Sequence, residues 1–312
     1  MRVLVTGGAG FIGSNLVRAL VATGHDVVVF DNLVASLSLC LIEDVLGSLR
    51  FFHGDVRARE DLDRLPEGPY DRIYHLAASF ANELSMEHPT LDMRSNIEGT
   101  LNVLSFARQA GCGLFVYTGS SSSYGDAPPP HHESQAPRPY TPYAMSKLAG
   151  EMCVQSSGLA YAIFRLFNAY GPGDPPGLFR NAIPNMIKAL DSPDGGIRIF
   201  GREATRDFTY VDDLVAVLLE APRAIGEVVN IGSGVETSMV EVARRILRLF
   251  DLPESRISFE GRRPWDRVVR RCADVARLRE RFGWVPSTSL GDGLLRTARW
   301  LARANYISRV IP

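Results

Sequence analysis

Two side chains four residues apart carry the clearest chemical potential in this sequence: Tyr143 and Lys147, in Tyr143-Ala144-Met145-Ser146-Lys147. On a helix, residues at this spacing share a face. An ammonium beside a phenol favours the phenolate and lowers its pKa from the ordinary value of ~10. The pair therefore reads as a general base able to take a hydroxyl proton near neutral pH. Upstream lies Thr118-Gly119-Ser120-Ser121-Ser122-Ser123-Tyr124-Gly125. A serine hydroxyl there, Ser120 first among them, could hydrogen-bond the oxygen that Tyr143 deprotonates. The bland alternative for the other serines is a flexible polar loop.

A second constellation opens the chain. Gly7-Gly8-Ala9-Gly10-Phe11-Ile12-Gly13 places Gly7, Gly10 and Gly13 three apart, after an apolar run and before a helical pattern. Glycines at such a turn allow close backbone approach to a pyrophosphate seated on the helix N-terminus. Asp31 ends the next apolar run, 18 residues after Gly13. A carboxylate there accepts hydrogen bonds from ribose hydroxyls and repels a 2′-phosphate. Two like charges 4 Å apart cost about 4 kcal/mol at an effective dielectric of 20. The expected cofactor is therefore NAD(H) and not NADP(H).

These residues need elements to position them. Val3-Leu4-Val5 reads as a buried strand, and Ile12, Leu16, Ala19 and Leu20 fall at helical spacing up to a cap at Gly24. Strands follow at 26–31, 49–53, 71–76, 114–118 and 160–166, with helices over 92–110 and 143–157. Residues 37–48 read as loop or helix. Alternation of this kind implies an α/β fold, a Rossmann-type doubly wound parallel sheet covered on both faces. Ser120 and its neighbours then sit at the carboxyl edge, where such sheets bind ligands. After the stiff Gly171–Gly177 loop come strands at 197–200 and 228–231. Helices are expected at 183–190, 212–220, 239–250, 274–282 and 291–304. The expected division is a dinucleotide-binding domain over 1–167 and a smaller C-terminal α/β domain over 168–312, with segments free to return to the first.

Composition excludes several classes. Lys and Arg total 34 against 35 Asp and Glu, a net charge of −1 in 312 residues, which argues against nucleic-acid binding through bulk charge. No apolar stretch approaches the ~20 residues of a membrane span, and no signal peptide is visible. The scattered Cys40, Cys112, Cys153 and Cys272 form no metal spacing and fit reduced thiols in a cytoplasmic protein, so no metal site is expected. Residues 262–281 hold eight arginines against three acids, most of which read as a solvated surface.

With these motifs quoted, the chain resembles the extended short-chain dehydrogenase/reductases, the NAD-dependent epimerase/dehydratase family acting on nucleotide sugars. The matching pieces are TGGAGFIGS (6–14), DNL (31–33), GDVR (54–57), HLAA (75–78), NIEGT (96–100), SSSSYG (120–125), PYAMSKLAGE (142–151), FRLFNAYGPG (164–173), RDFTYVDD (206–213), NIGSG (230–234) and RRPWD (262–266). They run in family order over nearly the whole chain. The resemblance implies cofactor contacts from Gly7, Gly10, Phe11, Ile12 and Gly13, from Asp31 and Asn32, and from Asp55 and Val56 at the adenine. It implies further ones from Leu76, Ala77, Ala78, Asn96 and Phe167. Ser120, Tyr143 and Lys147 match the catalytic set. Asn168, Phe200, Arg206 and Arg263 match substrate positions, with the two arginines on a diphosphate.

Branches of the family share C4 oxidation to a 4-keto sugar and differ afterwards. The resemblance places Asp-Glu after the catalytic Ser/Thr in 4,6-dehydratases and Ser-Glu in decarboxylases, whereas here the pair is Ser121-Ser122. Serine with no activating group is a poor acid or base at pH 7. The reading is a UDP-sugar 4-epimerase (glucose, N-acetylhexosamine or glucuronate), expected as a homodimer. The alternatives are an NDP-sugar dehydratase or 4-ketoreductase, and a non-catalytic dinucleotide sensor. Departures from the pattern are Trp265 in place of Gly, Arg202-Glu203 near the expected base site, and Ser79–Glu83 without a basic residue. Asn82 and Glu83 either touch the sugar or begin a helix.

Overall fold

The computed structural model describes residues 1–35 and 38–309. Seven parallel strands form its central sheet: β1 (Arg2–Thr6), β2 (Asp26–Asp31), β3 (Leu49–His53), β4 (Arg72–His75), β5 (Leu114–Ser120), β6 (Tyr161–Leu166) and β7 (Val228–Ile231). Their order is β7-β6-β5-β4-β1-β2-β3. The chain thus winds outward in both directions from β1, as in doubly wound sheets. The Val3–Val5 run of β1, the Val27–Phe30 run of β2 and the Leu114–Tyr117 run of β5 reflect burial on both faces.

One face is covered by α1 (Phe11–Ala22), the other by α2 (Gly99–Gln109) and α3 (Pro142–Gln155). The expected helix over 92–110 is not uniform: Met93–Glu98 is wound as a π-helix between Pro89–Asp92 and α2. That register leaves no residue signature and often marks a functional site. Residues 38–48 are bends, turns and a 3₁₀ segment at Glu43–Ser48, with Leu37 outside the described residues.

Past Asn168 the chain serves two cores. β7 pairs with β6, and α4 (Val211–Leu219) and α5 (Ala276–Phe282) pack with α1 on the sheet. A separate core joins Ala182–Ala189, Met239–Leu249 and Leu290–Arg303 with the parallel strands Ile197–Phe200 and Ile257–Glu260. Segments of the second half therefore do return to the first layer. Among the described residues no helix is long and apolar enough to cross a membrane, and no cluster of His, Cys, Asp and Glu could hold a metal.

Helix α3 is fixed at three points. Thr141 caps it by accepting from the Ala144 N–H at 3.2 Å, with Pro142 in the first turn. Gly150 lets β5 approach: a Cβ there would lie 2.3 Å from the Tyr117 hydroxyl. Arg165 of β6 makes a two-pronged pair with Glu151, Nη2 to Oε1 at 2.6 Å and Nε to Oε2 at 3.0 Å, both side chains buried. Removing one partner strands a buried charge. Glu151→Ala should therefore cost roughly 3–5 kcal/mol, read as a lowered urea midpoint at unchanged slope. A loss below about 1 kcal/mol, the value of an exposed pair, would show that solvent already screens Arg165.

Candidate active site

At the carboxyl edge of the sheet a cleft of about 1010 Å³ runs from the glycine turn to Phe200. Every site residue expected from the sequence lines it except Asn96. Asn96 is buried one layer back. Its amide donates to the Ser79 carbonyl at 3.1 Å and to Ser146 Oγ at 2.9 Å, steadying the floor of the cleft.

The turn after β1 is built on close approach. Gly7 has φ +73°, and a Cβ there would lie 2.6 Å from the Ala77 nitrogen. A Cβ on Gly13 would fall 2.0 Å from the Gly7 carbonyl oxygen. Only glycine fits either place, and the first turn of α1 faces the cleft. Asp31 is buried at the end of β2, where it accepts from the Ala9 N–H at 3.0 Å and the Leu33 N–H at 2.8 Å. Burial raises its pKa, and those two N–H groups hold it down. Asp31 thus braces the glycine turn as well as offering acceptors to the cleft. Asp55 takes the Arg57 guanidinium and the Asn32 amide, the latter at 2.9 Å. Burial opposes ionisation there, yet Arg57 and Asn32 bring the Asp55 pKa to about 2. These features fit a dinucleotide: a turn without side chains, a helix N-terminus, and a carboxylate at the second strand end.

The four serines are not a flexible loop. β5 runs on to Ser120, two residues past its expected end, and Ser121–Tyr124 form a buried 3₁₀ turn. Ser120 Oγ accepts from the Ser122 N–H at 3.1 Å, and Ser123 Oγ donates to the Ser120 carbonyl at 2.6 Å. Tyr124 closes the turn, donating to Asn230 Oδ1 at 2.7 Å and stacking on His131 at 4.8 Å.

Tyr143 and Lys147 meet Ser120 in the cleft, but their electrostatics differ from expectation. Burial raises the Tyr143 pKa above that of a free phenol. A hydrogen bond with Ser120 acts in the opposite sense, Asp92 raises it further, and Arg271 lowers it. Lys147 does not carry the tuning, because burial brings its own pKa to about 7 against the fields of Asp92 and Glu151. Its ammonium lies 4.5 Å from the Tyr117 ring centroid, while Tyr117 donates to the Lys147 carbonyl at 3.1 Å. Helical spacing accounts for both groups lining the cleft from one helix, and not for their desolvation.

At the far end, Arg206 donates to the carbonyls of Thr205 and Val269 and pairs with Asp266 at 3.3 Å. Arg263 stacks on Phe200 with its guanidinium 4.3 Å from the ring centroid, and 5.7 Å from that of Trp265. It also faces Glu83 at 3.6 Å. Trp265, in place of the family's Gly, is therefore one wall of an aromatic–arginine stack. Asn82 and Glu83 begin the Asn82–Glu87 helix and line the cleft. Arg202 and Glu203 turn away, onto Phe259 and Arg262.

Sequence reasoning missed Arg271. Arg262, Arg267, Arg270, Arg279 and Arg281 are exposed as expected, but Arg271 is buried and lines the cleft. Its neighbour Ser122 is 149 residues away in sequence, so no local pattern could mark it. Tyr140, Asp174 and Arg180 also line the cleft without a sequence signal.

Comparison with known proteins places this geometry. The model of the NAD dependent epimerase/dehydratase family matches residues 3–232. The chain is 33% identical to a UDP-glucose 4-epimerase of Mycolicibacterium smegmatis, covering 96% of this chain and 98% of that one. It is 32% identical to a UDP-N-acetyl-alpha-D-glucosaminuronate decarboxylase of Bacillus cytotoxicus, covering 96% and 97%. Among solved structures, the UDP-glucose 4-epimerase of Thermotoga maritima with UDP-glucose superposes with TM-score 0.89 at 29% identity, covering 98% and 100%.

The depressed pKa of Lys147 has a measurable consequence for the cofactor-free protein. Unfolded, Lys147 titrates near its ordinary value of 10.5, and folded at about 7. Between these values the unfolded state binds more protons, so this group makes stability rise with pH. The penalty is complete below pH 7 and is relieved as pH climbs. Lys147→Met should stabilise the cofactor-free protein at pH 6–7 and flatten the rise up to pH 9, at roughly 1.4 kcal/mol per pKa unit. Urea titrations across that range check it, and an unchanged profile contradicts it.

Proposed function

The chain belongs to the NAD dependent epimerase/dehydratase family, and we propose that within it the protein is an NAD-dependent UDP-sugar 4-epimerase. The observation that carries this reading is the chemistry beside Ser120. Positions 121 and 122 are buried hydroxyls that have no carboxylate partner among the described residues. Beside Ser120 the site therefore offers no group suited to eliminate a C6 hydroxyl, and Tyr143 is the acid–base group assigned to C4. Identity alone does not choose, because epimerases and a decarboxylase are matched about equally.

In this reading Tyr143 takes the proton of the C4 hydroxyl while Ser120 holds that oxygen. Arg271 and the Ser120 hydroxyl favour the developing phenolate, and Lys147 lines the cleft one helical turn beyond Tyr143. Bound NAD, cradled by Gly7, Gly10, Phe11, Ile12 and Gly13 with Asp31 on its ribose, supplies hydride uptake at C4 and its return. Asn32, Asp55 and Val56 flank the adenine end, and Leu76, Ala77, Ala78 and Phe167 the reactive end. Arg206 and Arg263 anchor the diphosphate, with Asn168 and Phe200 beside them. The anchored sugar turns over as a 4-keto intermediate, and Tyr143 returns its proton on the other face. A positive charge at the oxidised cofactor offsets the burial that otherwise keeps Tyr143 protonated.

The four unpaired cysteines support a reducing compartment and hence a cytoplasmic location. Exposed Leu101, Met145 and Met152 on α2 and α3 support a homodimer through these helices. Met152→Asp should then give a monomer by light scattering.

Incubation with UDP-sugars, followed by NMR, should give the C4 epimer with no net cofactor consumed. Tyr143→Phe should lower kcat by ~10²-fold or more, the usual scale of a general base. A 4-keto-6-deoxy product, released CO₂ or stoichiometric oxidation of reduced cofactor would replace the epimerase reading with another branch.

A further inference from the structure

The diphosphate and the C4 hydroxyl leave one buried arginine of the cleft without a ligand. Arg271 is 7% exposed and lines the cleft. Among the described residues it has no carboxylate within ion-pair distance. Its one hydrogen bond is a long donation from Nη1 to Ser122 Oγ at 3.4 Å, and its Nε is buried with no acceptor. The acid nearest in charge effect, Asp266, already pairs with Arg206 at 3.3 Å. A buried guanidinium is normally paired, so its acceptor should arrive with the ligand.

Its place in the cleft narrows what that acceptor is. Arg271 lines the cleft together with Ser120, Tyr143 and Arg206, and its one contact is on the turn that begins at Ser120. Ser122, which it touches, is two residues from Ser120, and its N–H is bonded to Ser120 Oγ at 3.1 Å. The group it addresses is therefore borne by the sugar, close to C4. Within a hexose, the exocyclic carbon on C5 is the neighbour of C4 that carries an anion when oxidised. A carboxylate matches a guanidinium fork with hydroxyls beside it.

We propose that the sugar is a hexuronic acid, its C6 carboxylate held by Arg271 with the Ser121 and Ser122 hydroxyls, so that UDP-hexuronates are preferred over UDP-hexoses. This deepens the epimerase reading and rests on it for the orientation of C4 toward Ser120 and Tyr143.

The test is equilibrium binding to NAD-loaded Tyr143→Phe protein, where turnover does not interfere, with UDP-glucuronate, UDP-glucose and UDP as probes. UDP-glucuronate should bind at least ~100-fold more tightly than UDP-glucose, since a site built for a polar group rejects an analogue lacking it. Adding Arg271→Gln should reduce that preference to within a few-fold, and Arg271→Lys should restore part of it. Equal binding of the two sugars before any change at Arg271 overturns the proposal without needing the variant to fold. So does an Arg271→Gln protein that weakens UDP as much as both sugars, which would make Arg271 a phosphate ligand. Epimerisation of UDP-glucose with no uronate preference sinks this inference and leaves the epimerase reading standing. A uronate preference without C4 epimer from either sugar supports Arg271 and sinks the epimerase reading instead.

Discussion

The Arg165 guanidinium joins the two halves of the site. Its fork on Glu151 ties α3, and with it Tyr143 and Lys147, to the sixth strand. Its face lies 4.9 Å from the Tyr124 ring centroid, and Tyr124 closes the 3₁₀ turn that begins at Ser120. Two catalytic candidates from different elements thus share one buried ion. Such a pair adds little net stability over an apolar replacement of the same shape. It does fix a rotation: α3 cannot turn about its axis without breaking two directional hydrogen bonds in a low-dielectric interior. The capping at Thr141 and the tight passage of Tyr117 against Gly150 leave the same helix no room to slide. Positioning of reacting groups to a fraction of an ångström requires support of this kind.

The glycine turn shows the same economy of roles. Gly7 and Gly13 nearly touch, so the first helix begins directly above the end of β1 and directs its unpaired N–H groups at the cleft. Asp31 accepts from the turn through Ala9 while presenting its carboxylate to the same space. A substitution at Asp31 therefore perturbs the glycine turn as well as the ribose recognition proposed for it. Its effect on cofactor choice and its effect on affinity are physically coupled.

What was legible in the sequence was what is local. The glycine spacing, Asp31 at a strand end and Tyr143 one turn before Lys147 each lie within a single element and its flanks, so periodicity and position suffice. The strand at 228–231 was legible as a strand, yet its membership of the first sheet was not, because pairing with β6 spans more than sixty residues. Met93–Glu98 looked like ordinary helix, since the π register depends on what packs around it. The tuning of Tyr143 was misjudged for a related reason. Spacing gives the neighbour's charge but not the depth of burial, and desolvation is the largest influence on both Tyr143 and Lys147. Arg271 was lost among eight arginines because composition treats them alike, whereas the fold buries this one and leaves five exposed.

The chain's near-neutral balance conceals a local imbalance that the chemistry needs. Lys147, Arg206 and Arg271 stand in the cleft with depressed pKa values, each lowered first by burial, down to about 7 for Lys147 and about 10 for Arg271. Holding cations this way is unfavourable until anions arrive, so ligand binding and stability are linked: whatever neutralises the cleft also stabilises the fold. The same burial keeps Tyr143 protonated in the empty site. Under the proposed role of Tyr143, the base would form only once positive charge at the oxidised cofactor adds to that of Arg271. If a carboxylate of the sugar pairs with Arg271, it removes part of that help from Tyr143. The cofactor's charge then becomes the dominant influence on the phenol. In the proposed reaction, proton removal from the C4 hydroxyl would thereby be confined to the complex in which a hydride acceptor is already in place.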